Sequence, residues 1–227
     1  MARDEKTESA KHCVIVVGGH TRSIGKTQLV CDLVTALPEK QFIAGKITQY
    51  GHGVCAQNGE HCGCAPDEHS SAFNWESDSA SGTDSSRFLA AGARRSFWLR
   101  TKQGYLAEGM PLLRNALRNL HVDSDLSPVN LIIESNSLLQ FMKPSIYLAV
   151  LDPAKEDFKQ TAHSILDRAD ALVLRHNFPQ TGTSWPQVSS KLLQTKRVFL
   201  QQEGEAIPEP LLKLVRGALS HSTTVRI

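Results

Sequence analysis

His12-Cys13-Val14-Ile15-Val16-Val17-Gly18-Gly19-His20-Thr21-Arg22-Ser23-Ile24-Gly25-Lys26-Thr27 is the stretch that decides the reading of this chain. Its first half is a short apolar run rich in β-branched residues, the pattern of a strand covered on both faces. Gly18-Gly19 ends the run. From Lys26 to Leu37 the apolar residues Leu29, Val30, Leu33, Val34 and Leu37 recur at helical spacing, and Pro38 stops the helix. Between strand and helix the chain closes on Gly25-Lys26-Thr27. Phosphates need a concave set of backbone amides and a helix N-terminus carrying partial positive charge, and a phosphate loop belongs at this junction. On this reading Gly19, His20, Thr21, Arg22, Ser23, Ile24, Gly25, Lys26, Thr27 and Gln28 surround a nucleotide. Gly25 lets the backbone approach the phosphates. Lys26 neutralises the β- and γ-phosphates and is the first candidate catalytic residue, and the Thr27 hydroxyl binds Mg²⁺. The competing reading is a chance Gly-Lys-Thr in a strand–helix turn.

Outward from this stretch, strands and helices alternate. Strands are predicted at Gln41 to Ile47, Ser96 to Leu99, Val129 to Ile133, Ile146 to Leu151, Ala171 to Leu174 and Arg197 to Leu200. Helices are predicted at Ser85 to Ala91, Tyr105 to Leu120, Asp157 to Asp167, Val188 to Leu193 and Pro210 to Ser220. This alternation implies parallel β-α-β units, hence a three-layer α/β/α sandwich with a mostly parallel sheet. The whole chain, 1–227, reads as one domain. Residues 51–86 differ: they are rich in Gly, Ser, Cys and His, with little apolar periodicity, and read as an insertion or functional loop after the second strand.

Composition narrows the function. The 25 Lys+Arg and 23 Asp+Glu leave a net charge of +2, which excludes a strongly basic nucleic-acid binder. No apolar run approaches the ~20 residues of a membrane span. The first residues are polar and of mixed charge, without the apolar segment of a signal peptide, so a cytoplasmic location is expected. Five cysteines is an odd count, which does not suggest a disulfide framework.

In an open α/β sheet ligands sit at the carboxyl ends of the strands. Glu134 ends the strand before it, where a carboxylate holds Mg²⁺ through water or orients the attacking water; it is the second candidate catalytic residue. A helix cap or a salt bridge is the plainer use. Asp84 suits a Mg²⁺ ligand and a helix N-cap equally. Asp152, before Pro153, reads as a turn residue. Lys46 ends the second strand and points to the same rim, toward a phosphate or a carboxylate. Arg94-Arg95-Ser96-Phe97-Trp98-Leu99-Arg100 offers charge and aromatic surface, but a buried strand with charged ends explains it as well.

His52, Cys55, His61, Cys62, Cys64 and His69 fall within 18 positions. Thiolate and imidazole together suit Zn²⁺ or another transition metal, with Cys55, Cys62 and Cys64 and either His61 or His52 as the favoured ligands. The spacing is not that of paired Cys-x-x-Cys, and a loop with incidental thiols is the alternative. Cys13 and Cys31 lie in apolar elements and read as core.

Two resemblances follow from these residues. The loop of Gly19, five residues and Gly25-Lys26-Thr27 resembles that of dethiobiotin synthetase and the cobyrinic acid amide synthases, which share a class with the nitrogenase iron protein, the MinD ATPases and the metal-insertion GTPases. Asp84-Ser85-Ser86-Arg87, followed after three residues by Ala91-Gly92-Ala93, is similar to a stretch of the molybdopterin-guanine dinucleotide biosynthesis protein B family. The resemblance implies a nucleotide-binding adaptor, a GTPase or ATPase of slow turnover, serving molybdenum cofactor or metal-centre maturation, with Mg²⁺ as cofactor, a maturation enzyme as partner and a homodimer as assembly. It also implies that Asn177, ending a late strand, contacts the base, although a turn residue before Phe178-Pro179 explains that position equally well. No guanine-specific Asn-Lys-x-Asp is present, so the choice between GTP and ATP stays open. An ATP-dependent ligase or kinase acting on a small carboxylate or hydroxyl substrate, and a nucleotide-gated metal-binding module without turnover, are the alternatives.

Overall fold

A computed structural model describes residues 12–50, 70–123, 129–177 and 185–220. In chain order the elements are β1 (His12–Gly19), α1 (Lys26–Ala36), β2 (Ile43–Tyr50), β3 (Ser71–Trp75), α2 (Asp84–Ala90), β4 (Arg95–Lys102), α3 (Leu106–Asp123), β5 (Val129–Glu134), β6 (Ile146–Leu151), α4 (Gln160–His163), β7 (Ala171–Leu174), α5 (Ser190–Thr195), β8 (Arg197–Leu200) and α6 (Glu209–Ser220). One eight-stranded sheet runs in the order β3-β4-β2-β5-β1-β6-β7-β8. Every pairing is parallel except that of β3 with β4. The fold is the three-layer α/β sandwich expected from the strand–helix alternation.

The two-residue period of a strand decides which side chain faces which layer. In β1 Cys13, Ile15 and Val17 share a core with Ala44, Ile132, Leu148 and Val150, under Leu29, Leu33 and Val34 of α1 and Leu211 and Val215 of α6. Val14 and Val16 face the other way, with Ile43, Leu131 and Ile133, onto Leu106, Met110, Leu113 and Leu117 of α3. Lys46 and Glu134 continue the α1-side rows of Ala44 and Ile132. In the parallel ladders Glu134 stands level with Val17 on one side and Lys46 on the other. The apolar run of β1 thus sets the phase that brings two opposite charges abreast beneath the start of α1.

The described part of the 51–86 segment departs from the sequence reading. Ser71–Trp75 is an antiparallel edge strand, its Phe73 stacked on Phe97 at 5.3 Å and Trp75 edge-on to the same ring at 5.9 Å. The helix expected at Asp157 to Asp167 is also corrected. Only Gln160–His163 is α-helical, and Leu166–Arg168 forms one 3₁₀ turn. The polar groups of Asp157 and Lys159 are spent instead on His20 and Thr21, in the loop between β1 and α1. No helix among the described residues is long and apolar enough to cross a membrane.

Candidate nucleotide site

β1 hands its last residue to a side chain from the neighbouring strand's exit. Asn136 Nδ2 donates to the Gly19 carbonyl and its Oδ1 accepts from the Gly19 N–H, both at 2.8 Å. Beyond that clamp the chain turns through two left-handed residues, Ser23 (φ 51°) and Gly25 (φ 82°). The second is a glycine because a Cβ there would be strained and would also meet the Arg175 guanidinium at 2.6 Å. Gly25 is the N-cap of α1 and brings no capping side chain. The Leu29 N–H is the first in the helix to reach a carbonyl, that of Gly25, at 2.9 Å. From Arg22 to Gln28 the backbone N–H groups have no acceptor among the described residues. A run of free donors at a helix N-terminus is an anion cradle. This arrangement has the form of a phosphate-binding loop.

Lys26 arches over the loop and donates to the Thr21 carbonyl at 2.6 Å. Burial pushes its pKa down to about 8, although Glu134 pulls the other way. An ammonium so weakly solvated gains much from a phosphate.

The groups predicted to bind Mg²⁺ meet at the end of β5. Thr27 Oγ1 donates to Glu134 Oε2 at 2.6 Å. Glu134 Oε1 accepts from Lys46 Nζ at 3.2 Å, and the same ammonium donates to Asp84 Oδ2. Glu134 is 5% exposed, so neither carboxylate oxygen is lost to water. Asp84 is not the helix cap. Thr83 takes that role by accepting from the Ser86 N–H at 3.0 Å, which leaves the Asp84 carboxylate to face Lys46. Burial lowers the pKa of Lys46, but Glu134 and Asp84 outweigh it and hold the ammonium above the usual lysine range. A hydroxyl and two carboxylates are the hard oxygen donors that suit Mg²⁺, which takes few protein ligands and completes its shell with phosphate and water. The donor set fits the ion.

The segment after β6 braces the loop, through contacts that no local residue pattern announces. His20 is wholly buried. The Asp152 N–H donates to its Nε2 at 3.0 Å, so Nδ1 carries the proton and donates to the Asp157 carbonyl at 2.7 Å. The ring packs against Phe158 and Trp185, at 5.1 and 4.8 Å between centroids. Burial lowers its pKa. The side chain of His20 is therefore an anchor turned away from the cradle, which corrects its expected place among the nucleotide contacts. Thr21 Oγ1 donates to the Asp157 carboxylate, the Lys159 N–H donates to the His20 carbonyl at 2.9 Å, and Lys155 Nζ donates to the Ser23 carbonyl at 2.6 Å.

A second brace comes from β7. Arg175 is 6% exposed and donates to the Gly25 carbonyl and to Gln201 Oε1. Gln201 in turn donates to Asp32 of α1 at 2.8 Å. Asn177 lies exposed just past this strand. Asp152 makes the turn expected of it, accepting from the Ala154 N–H at 3.0 Å, and also pairs with His176 Nδ1 at 2.7 Å. The Arg94–Arg100 piece serves the sheet edge. Arg95 lies over Trp75, and Arg100 lies over Trp98 and donates to Asn74. Cys13 and Cys31 are buried in the core, and burial raises both thiols. His52, Cys55, His61, Cys62, Cys64 and His69 lie outside the described residues. Among the described residues no three His, Cys, Asp or Glu side chains gather as metal ligands.

Ala91-Gly92-Ala93 has a plain structural use. The Ala93 N–H bonds to the Phe88 carbonyl at 3.1 Å and the Gly92 N–H to that of Leu89 at 2.9 Å, with Gly92 at φ 101°. This is a Schellman closure of α2. In the stretch that carries the second resemblance, Asp84 reaches the site and Ala-Gly-Ala ends the helix.

No protein-family model and no curated protein matches the chain. Among solved structures, HypB from Helicobacter pylori in complex with nickel is similar, with 15% identity over 93% of this chain and 89% of that one and a TM-score of 0.49. So slight a likeness transfers no function.

Proposed function

We propose that this chain binds a nucleoside triphosphate with Mg²⁺ and hydrolyses it slowly, as an accessory protein in molybdenum cofactor or metal-centre maturation. The observation that carries the nucleotide reading is the junction of a free-amide cradle with Thr27, Glu134 and Asp84. Lys26 and the loop amides hold the β- and γ-phosphates. When bound, Mg²⁺ neutralises charge between these phosphates. Glu134, at the end of β5, orients the attacking water for in-line displacement. With no covalent step, catalysis rests on positioning and charge stabilisation. The maturation role is supported by the likeness around Asp84 to the molybdopterin-guanine dinucleotide biosynthesis protein B family, and a homodimer is the expected assembly by the same likeness. Asn177, exposed beyond β7, is the proposed base contact.

Product analysis tests this reading. Incubation of the full chain with Mg²⁺ and ATP or GTP should release phosphate without any acceptor, and Lys26→Ala should abolish release. Phosphate released only when a carboxylate or hydroxyl substrate is added would assign a ligase or kinase. Tight binding with no product would assign a nucleotide-gated module.

A further inference from the structure

The place where Mg²⁺ would sit between Asp84 and Glu134 is taken by an ammonium. Strand register sets Lys46 level with Glu134, and the use of Thr83 as the α2 cap frees Asp84 to meet the same nitrogen. We propose that Lys46 is the resident counter-ion of the magnesium site, and that it yields this place only when a triphosphate arrives with the metal. The proposal rests on the nucleotide reading above.

The reason is charge and space. Two carboxylates held together need a cation between them, because like charges side by side cost several kcal/mol. Lys46 meets that need in the free protein, its Nζ 3.2 Å from Glu134 Oε1. Mg²⁺ binds oxygen at about 2.0–2.1 Å. An ion reaching the same two carboxylates would lie within a few ångströms of the ammonium, with three positive charges facing two negative ones. Ammonium and metal therefore exclude each other while the carboxylates are their only anions. A triphosphate removes the conflict by supplying oxygens to both. The flexible four-carbon stem lets the ammonium swing from the carboxylates to a phosphate. Metal entry is thereby coupled to nucleotide entry, and by linkage each tightens the other. Lys46 is a positioning residue in this scheme, not a catalytic one.

The test uses Mn²⁺ as the probe on the full-length, nucleotide-free protein, with free ion counted by its paramagnetic resonance signal. Wild type should show no Mn²⁺ site that depends on Asp84. Lys46→Met should gain one, binding roughly tenfold or more tighter than wild type, and adding Asp84→Asn to that variant should remove it. Lys46→Gln, which keeps hydrogen-bond donors without the charge, should behave like Lys46→Met and covers the case in which the methionine variant folds poorly. In the wild type, adding ATP or GTP should create the Mn²⁺ site. Equal Mn²⁺ binding by wild type and both Lys46 variants would overturn the proposal, as would a wild-type site that Asp84→Asn abolishes without nucleotide. Failure of both nucleotides to bind wild type would overturn the reading beneath it. The nucleotide-free Mn²⁺ comparison keeps those two failures apart.

Discussion

The Thr27 hydroxyl donates a 2.6 Å hydrogen bond to Glu134 Oε2, tying the first turn of α1 to the end of β5. The residue that would ligate the metal and the residue that would orient water are thus directly bonded to each other. Glu134→Gln keeps the size of the side chain and one acceptor oxygen but removes the negative charge. Nucleotide binding should survive within a few fold, while phosphate release falls roughly a hundredfold or more. Binding measured by calorimetry beside a phosphate-release assay checks the split.

Asn136 should matter to the loop although it touches no phosphate. Its amide satisfies both polar groups of Gly19. Asn136→Ala leaves a buried peptide without partners, an expected loss of about 1–3 kcal/mol, together with weaker nucleotide binding. Denaturant melts of the two proteins measure the loss.

His20 makes the fold acid-sensitive. Its folded pKa lies below the ordinary 6.5, chiefly through burial. As pH falls through 6.5 the unfolded chain takes up a proton that the folded ring resists, so stability is full above that value and declines below it. Melting curves at pH 7.5 and pH 5.5 should differ more for wild type than for His20→Phe. The variant starts less stable, because the Asp152 N–H loses its acceptor.

Lys26 acts at the other end of the pH range. Its pKa is about 8 in the folded chain and 10.5 without the fold. Below pH 8 both states are protonated and the cost of burying the charge is fully present. Between 8 and 10.5 only the unfolded chain binds the proton, so Lys26 makes stability rise with pH, by at most about 1.4 kcal/mol per unit. Lys26→Met should flatten that rise in denaturation series at pH 7.5 and pH 9.5.

Much of this site was legible in the order of residues. The β-branched run of Val14 to Val17, the glycines and Gly25-Lys26-Thr27 are local signals, and they placed the cradle. Glu134 was legible because a strand end is where an α/β sheet presents ligand groups. The braces were not. Asp157, Lys155 and Arg175 reach the loop from 130 or more positions away, and no local pattern records such a contact. The expected helix from Asp157 failed for the same reason: its polar groups are committed to Thr21 and His20. The edge strand Ser71–Trp75 was hidden within a polar segment, since an edge strand needs only one apolar face.

Everything proposed for this site requires the free amides from Arg22 to Gln28, with Lys26 above them, to hold a triphosphate. Calorimetric titration of the purified chain with ATP and with GTP, each with Mg²⁺, measures this directly, beside Lys26→Ala at the same concentrations. At least one nucleotide should bind at a single site per chain, and Lys26→Ala should weaken it roughly 10- to 100-fold. If neither nucleotide gives heat or raises the melting temperature, or if Lys26→Ala binds as tightly as wild type, the phosphate-loop account is contradicted.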